Sequence, residues 1–189
     1  MATPFEDFVA AFDPPVVIVT AAAGSLRGGC LVGFHSKVSI DPARYSVRLS
    51  KANHTYRVAL FATHLAVHAP DRSDRDLAEL FGGTTGDERD KLAACTWDAG
   101  PGGVPLLARC PNRLVLRTVS IVDDGSDHVA FTGEIADAAA AGGLVPLRLS
   151  EARSIDAGHP AAQRPVPDDV SARATPASGA TLDDRGNPG

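Results

Sequence analysis

Cysteine, methionine and the large aromatics are scarce in this chain of 189 residues, which has three Cys, one Met, one Trp and two Tyr. Cys30, Cys95 and Cys110 are widely spaced, odd in number and form no Cys-x-x-Cys pair. That pattern argues against both a zinc site and a disulfide framework. A reducing cytoplasm is the expected home. Long apolar runs are missing as well: the strongest, Pro15 to Ala23, falls far short of the roughly 20 residues a spanning helix needs. The N-terminus reads MATPFEDF, with acidic residues where a secretion signal would carry basic ones. Basic blocks are absent too. Eighteen Lys and Arg are dispersed among 23 Asp and Glu, and the net charge of −5 gives no reason to expect nucleic acid or a membrane as partner. No nucleophile elbow, metal-ligand cluster or catalytic carboxylate pair stands out.

What is present is an ordinary globular composition, 44% apolar and 22% charged, with length for one buried core. Phe5, Phe8, Val9 and Phe12 have the spacing of a short helix ended by Asp13-Pro14-Pro15. Val16 to Ala21 reads as a buried strand, Gly24 to Gly29 as a Gly-rich hairpin turn, and Cys30 to Ser36 and Tyr45 to Ser50 as further strands. Helices are expected over Thr55 to Phe61 and Asp74 to Phe81, with a helical turn or two over Asp87 to Ala94. His64 to Ala69, Leu114 to Val122 and His128 to Ala136 alternate as strands, the last two joined through the hairpin signal Asp123-Asp124-Gly125. Pro146 to Leu149 could supply a last short strand. The count of strands and turns points to a closed antiparallel barrel over residues 1–160. Residues 161–189 hold almost no large apolar side chains and read as a disordered tail.

The segment from Gly29 to Thr55, GCLVGFHSKVSIDPARYSVRLSKANHT, is the most telling. Two apolar strands split by Asp41-Pro42 deliver Ser50, Lys51, Asn53, His54 and Thr55 to one strand end, directly ahead of a helix. Hydroxyls, a positive charge and helix-start N–H groups converging there suit a phosphate. A flat apolar strand pair beside a phosphate pocket suits a flavin mononucleotide. The plainer alternative is that Asn53 and Thr55 cap the helix and Lys51 is a solvated charge; both can hold, because a cap and an anion use the same donors.

In order, the chain carries PVVIVTAAAG, VSIDP, SKANHT, DRDLAELFGG, GGVPLL and GSDHVAFTGEI. Together these resemble the flavin reductase-like family of FMN-binding split barrels, in particular an actinobacterial-type subgroup, over roughly Phe5 to Pro160. The resemblance implies a mainly β fold: a six-stranded antiparallel split β-barrel of Greek-key type with a few short helices, forming a homodimer with flavin near the subunit interface. It implies NAD(P)H-dependent reduction of flavin, with FMN as cofactor, FAD, F420 or haem as alternative occupants, and a partner monooxygenase as one destination for the electrons. A non-catalytic flavin-binding protein is the rival of a different class. Carried over by position, Leu31, Val32, Gly33, Phe34, His35, Ser36 and Lys37 line the isoalloxazine edge, mostly through backbone groups. Ser50, Lys51, Ala52, Asn53, His54 and Thr55 hold the phosphate, and His128, after Asp127, sits near the nicotinamide or flavin face. The chain departs from the family pattern at Leu31, Gly33 and Phe34, where Thr and Ser are usual, at Ala43, and at Ser126.

Other candidates have plainer readings. Gly28 and Gly29 read as turn residues, whereas Gly33 inside a strand marks a close approach. The Asp127–His128 pairing is weak if both lie on one strand, because neighbouring residues point to opposite faces. His64 and His68, about 13 Å apart along a strand, are too distant for one metal. Cys30 and Cys110 read as buried and inert, the acidic residues of 74–90 as a solvated face, and Trp97 either as a cover for the active site or as a pin for its loop.

Overall fold

The computed structural model describes residues 3–155, so the tail expected over 161–189 lies outside the described residues. Nine strands are described: β1 (Val17–Ala23), β2 (Leu26–Val32), β3 (His35–Ser39), β4 (Arg44–Ser50), β5 (His64–His68), β6 (Trp97–Ala99), β7 (Pro105–Leu107), β8 (Arg113–Val122) and β9 (His128–Ala139). Four helices accompany them: α1 (Pro4–Ala10), α2 (His54–Ala59), α3 (Arg75–Gly82) and α4 (Leu149–Ala152). Seven strands build one antiparallel sheet in the order β2-β1-β5-β8-β9-β4-β3, and β6 and β7 form a separate ribbon. Among the described residues, no helix is long and apolar enough to cross a membrane.

Which side chains meet shows how the sheet is bent. Val17 and Val19 of β1, Cys30 and Val32 of β2, and Val47 and Leu49 of β4 share one buried cluster. Leu65, Leu116, Val129 and Phe131 of β5, β8 and β9 complete it. β2 and β4 are far apart in the strand order, so their common core requires the sheet to curl upon itself, as in a split barrel. Alternation supplies this inner face, because successive residues point to opposite sides. Helix α2 closes one end with Tyr56, Val58 and Ala59, Tyr56 meeting Phe131 edge-to-face at 6.1 Å. Each fully buried side chain of this size contributes about 1.5–3 kcal/mol.

The outward residues of β1 and β2 need a second layer. Ile18 packs against Leu77 and Phe81 of α3 and against Leu92, Leu107 and Cys110. This layer explains a departure from the expected glycine turn. Only Gly24 and Ser25 turn, while Gly28 and Gly29 lie within β2. A Cβ on Gly29 would fall 2.4 Å from the Phe81 ring, and one on Gly28 would fall 3.1 Å from Thr55 Cα. The glycines therefore admit neighbouring helices. A break at Gly33 and Phe34 divides the strand expected over Cys30 to Ser36 into β2 and β3, so the sheet has seven strands where six were expected.

Smaller differences follow the same logic of packing. The expected helical turn over Asp87 to Ala94 contracts to a 3₁₀ turn over Leu92–Ala94. Pro146 and Arg148 make isolated bridges to Asp71 and Pro15, and no strand forms there. Trp97 opens β6, with Arg27 stacked 5.3 Å over its ring, and so pins its loop to the sheet. Asp74 and Asp76 both clamp Arg109, and Asp76, Glu79, Asp87, Glu88 and Asp90 are exposed, as expected of a solvated face. Helix α1 is capped by Thr3 and Glu6 yet buries none of its side chains.

Candidate functional site

A cleft of about 400 Å³ opens where β2 ends, beside the end of β4 and the start of β9. Its apolar wall is formed by Leu31, Val32, Phe34, Leu49 and Leu149, and its polar rim by Ser50, Asn53, Asp127 and His128. The topology explains this location. β2 is an edge strand, so one side of its backbone has no ladder partner. Arg27 and Gly29 give their outward carbonyls to His54 Nε2 (3.3 Å) and Lys91 Nζ (3.1 Å). Alternation then places the N–H and C=O of Leu31 on the same outward edge, at the cleft.

His128 is paired with Ser50 across β4 and β9. Its Nδ1 lies 2.8 Å from Asp127 Oδ1, and its ring meets Phe34 edge-to-face at 5.1 Å. The alternation that argued against an Asp127 contact does not apply, because Asp127 precedes the strand and its backbone belongs to the hairpin. The His128 hydrogen bond holds the Asp127 carboxyl below its ordinary value. With Nδ1 donating, Nε2 is the ring nitrogen left to meet a ligand, and it makes no hydrogen bond among the described residues. Cys30, at the cleft's inner end, is inert: burial pushes its thiol up to about 11.

The turn after β4 is tightly wound. Lys51 N–H donates to Asp127 O (2.9 Å), Ala52 N–H to Ser50 Oγ (3.3 Å), and Asn53 N–H to Ser50 O (2.9 Å). Asn53 is the N-cap of α2, its Oδ1 accepting from Thr55 N–H at 3.1 Å. The Asn53 side chain lines the cleft and also interacts with the Cys30 thiol. Most of the backbone donors that a phosphate was expected to use are therefore satisfied within the turn. Lys51 points its ammonium at Asp123, 2.8 Å away, which lowers that carboxyl. Thr55 is buried, and its Oγ1 has no hydrogen-bond partner among the described residues.

Of the thirteen residues expected to hold a cofactor, the cleft gathers Leu31, Val32, Gly33, Phe34, Ser50 and Asn53, together with His128. The others are placed elsewhere. His35 is held by Tyr45 OH (2.6 Å) and Pro15 O (2.9 Å), which occupies both ring nitrogens. Ser36 and Lys37 are exposed on β3, Lys51 and Ala52 belong to the turn, Thr55 lies behind it, and His54 faces a different hollow. Sequence reasoning missed Leu49, Arg48, Leu149 and Lys91. Leu149 comes from the far end of the chain, so no local pattern could bring it to β2. Lys91 is buried, its Nζ on the carbonyls of Gly29 and Phe81, and burial lowers its pKa. It looked like one more charge on an acidic stretch.

A free strand edge beside an apolar slot fits the flavin ring system, whose pyrimidine edge alternates donors and acceptors. The fit rests on backbone groups more than on side chains. Comparison with known proteins points the same way. A family model described as "Flavin reductase like domain" matches residues 9–151. The FMN reductase (NADH) SmoA of Agrobacterium fabrum is 28% identical over 71% of this chain and 75% of its own length. The FMN reductase (NADH) RutF of Stutzerimonas stutzeri is 29% identical over 54% of this chain, which spans only 59% of that relative. Among solved structures, an FMN-binding protein from Thermus thermophilus superposes with a TM-score of 0.64 at 22% identity, covering 72% of this chain and 76% of its own.

Proposed function

The chain belongs to the flavin reductase-like family, and on that premise we propose that it is an NAD(P)H-dependent flavin oxidoreductase with FMN as its cofactor. The observation that carries this reading is the apolar cleft at the free edge of β2, rimmed by Ser50, Asn53 and His128. Two FMN reductases (NADH) among its relatives support it. FMN held in this cleft would supply the ring that accepts hydride from nicotinamide, a step that asks no general base of the protein.

What the chain's own residues do is position and shield. Leu31 would orient the ring edge through its N–H and C=O. Leu49, Leu149 and Phe34 keep water from the ring faces, and Val32 and Gly33 shape the floor. Asn53 NH₂ and Ser50 Oγ would meet the polar tail. Asp127 fixes the tautomer of His128, so that Nε2 meets nicotinamide or a ring carbonyl at a set angle. The domain spans residues 1–160 and acts in the cytoplasm, passing electrons to free flavin, oxygen or a monooxygenase. A homodimer is supported by its bare apolar surface: Phe5, Phe8 and Phe12 of the first helical segment and Phe34, Val38 and Ile40 near the cleft are all more than half exposed.

The test is direct. Purified protein should show flavin absorption, or gain it on titration with FMN, and should oxidise NADH or NADPH in its presence. His128→Ala should keep FMN affinity within about threefold while kcat/KM falls roughly tenfold or more. Colourless protein without saturable FMN binding overturns the flavin reading. Binding without NAD(P)H oxidation leaves a flavin-binding protein, and mass spectrometry of ligand released from native protein tells FMN from FAD, F420 or haem.

A further inference from the structure

Two segments near the ends of the described residues are zipped together beside the cleft. Val16 N–H donates to Leu147 O (2.9 Å), Pro15 bridges Arg148, and Leu149 N–H donates to Pro14 O (2.9 Å). At the open end of this short ladder both carboxylate oxygens of Asp13 accept from Ser150. Oδ1 takes its N–H and Oδ2 its hydroxyl, each at 2.8 Å. We propose that Asp13 is a positioning residue, whose clasp on Ser150 seats Leu149 as a wall of the cleft and so sets how long a bound flavin stays. This role rests on the flavin reading proposed for the cleft.

The backbone at Asp13 is the first sign that its side chain matters. Its φ of 39° lies on the left-handed side of backbone space, and Asp13 is the one residue other than glycine placed there among the described residues. Glycine takes such a φ freely, whereas a residue with a Cβ does so at a cost that its surroundings must offset. The surroundings of Asp13 are the clasp. Arg148 Nη1 also donates to its carbonyl at 3.2 Å, and the hydrogen bonds from Ser150 hold its carboxyl below the ordinary value.

What the clasp positions follows from the peptide groups it fixes. A residue has two soft dihedrals, φ and ψ, set by the peptide planes on either side of its Cα. For Leu149, Pro14 O holds the plane before it and Asp13 Oδ1 holds the plane after it. Its side chain then has a set direction, with Cδ1 3.4 Å from where a Cβ on Gly33 would stand, over the break between β2 and β3. The flanking anchors do not reach this far. Leu147 and Ala152 are buried with Val16 and Ala78, and Glu151 is held by Arg72 (2.7 Å) and Arg75. Both Asp13–Ser150 bonds lie at the surface, where water competes for them. Of the apolar walls, Leu149 is therefore the one most readily swung aside, as binding elements drawn from the weakly held parts of a fold are.

Stopped-flow fluorescence of FMN reads its release directly. Asp13→Gly suits the backbone and keeps the carbonyl that Arg148 meets, so it deletes the clasp alone. It should speed FMN release roughly tenfold or more, the scale expected when one leucine contact is lost. Asp13→Asn tolerates the same φ and keeps an acceptor for Ser150 N–H, so release should return to within about threefold of the native rate. Leu149→Ala should match Asp13→Gly. Combining the two should change the rate by less than about twofold further, because Asp13 acts through Leu149. Native release from Asp13→Gly overturns the proposal, as do factors that multiply in the double variant, which would mean a general loosening of the fold. Both failures are read on wild-type protein that binds FMN and leave the flavin reading standing, whereas wild-type protein without saturable FMN binding overturns both.

Discussion

His68 and His128 sit in two regions of the curled sheet that treat polar groups in opposite ways. The His68 ring, on β5, is matched at both nitrogens, although Arg113 Nε on the neighbouring strand is buried without a partner. The ring Nδ1 donates to Ile18 O (3.1 Å), its Nε2 accepts from Leu107 N–H (3.1 Å), and Thr20 Oγ1 nearby donates to Pro105 O (2.6 Å). Burial pushes the imidazole down to about 4, so the ring is neutral and serves to join β1, β5 and β7. Around His128 the picture differs: its own Nε2 and the outward backbone edge of Leu31 make no hydrogen bond among the described residues, and behind them Thr55 Oγ1 is buried without a partner. Buried polar groups are normally hydrogen-bonded, and open donors and acceptors at the edge of an apolar cleft are groups that a ligand can satisfy. Histidine content says nothing of this. Satisfaction of its neighbours does.

The comparison can be broken by experiment. Phe131→Ala, in the shared core, should cost about 3–5 kcal/mol in denaturant unfolding, the largest effect expected. A loss below about 1 kcal/mol would mean the barrel does not close on that side chain. Next comes acid. The unfolded chain protonates His68 near 6.5 and the folded chain only near 4, so the unfolded state takes up the proton first. Stability should therefore fall as pH drops from 6.5 toward 4, by up to about 3 kcal/mol from this group. His68→Leu should flatten that part of the profile while itself costing about 1–3 kcal/mol, since Leu107 N–H and Ile18 C=O lose their partner. Gly29→Ala should cost about 1–3 kcal/mol, because its methyl must displace the Phe81 ring. Smallest of all, Thr55→Val should leave stability within about 0.5 kcal/mol or raise it, since an unpaired hydroxyl is exchanged for a methyl of the same shape. A clear loss there would show that Thr55 is as fully matched as Thr20, and the contrast would fail.

Much of the fold was legible because it is written in alternation. Val17, Val19, Val47, Leu49, Leu65 and Val67 follow period two, and the strands they mark are where they were expected. What misled was glycine. Gly28 and Gly29 have the look of a turn, and only the backbone of Thr55 and the ring of Phe81, brought from elsewhere in the chain, explain why a strand should lack side chains there. The site was legible in half. The cap at Asn53 comes from local pattern, whereas the wall at Leu31 to Phe34 entered through the family resemblance. Lys51 was expected to face a ligand but finds Asp123 across a hairpin, a pairing that register alone decides. His35 looked like a ring contact and is instead locked by Tyr45 and Pro15.

The unpaired margin of β2 has a consequence for how such a protein can change. Recognition through main-chain amides is indifferent to the identity of the residue that carries them. On the flavin reading proposed above, Leu31, Gly33 and Phe34 can stand where the family usually has hydroxyl residues, and a main-chain grip would survive as long as the strand keeps its phase. Drift in the lining is then cheap, whereas insertion of one residue between Gly24 and Leu31 would turn the wrong face inward and silence the pocket at a stroke.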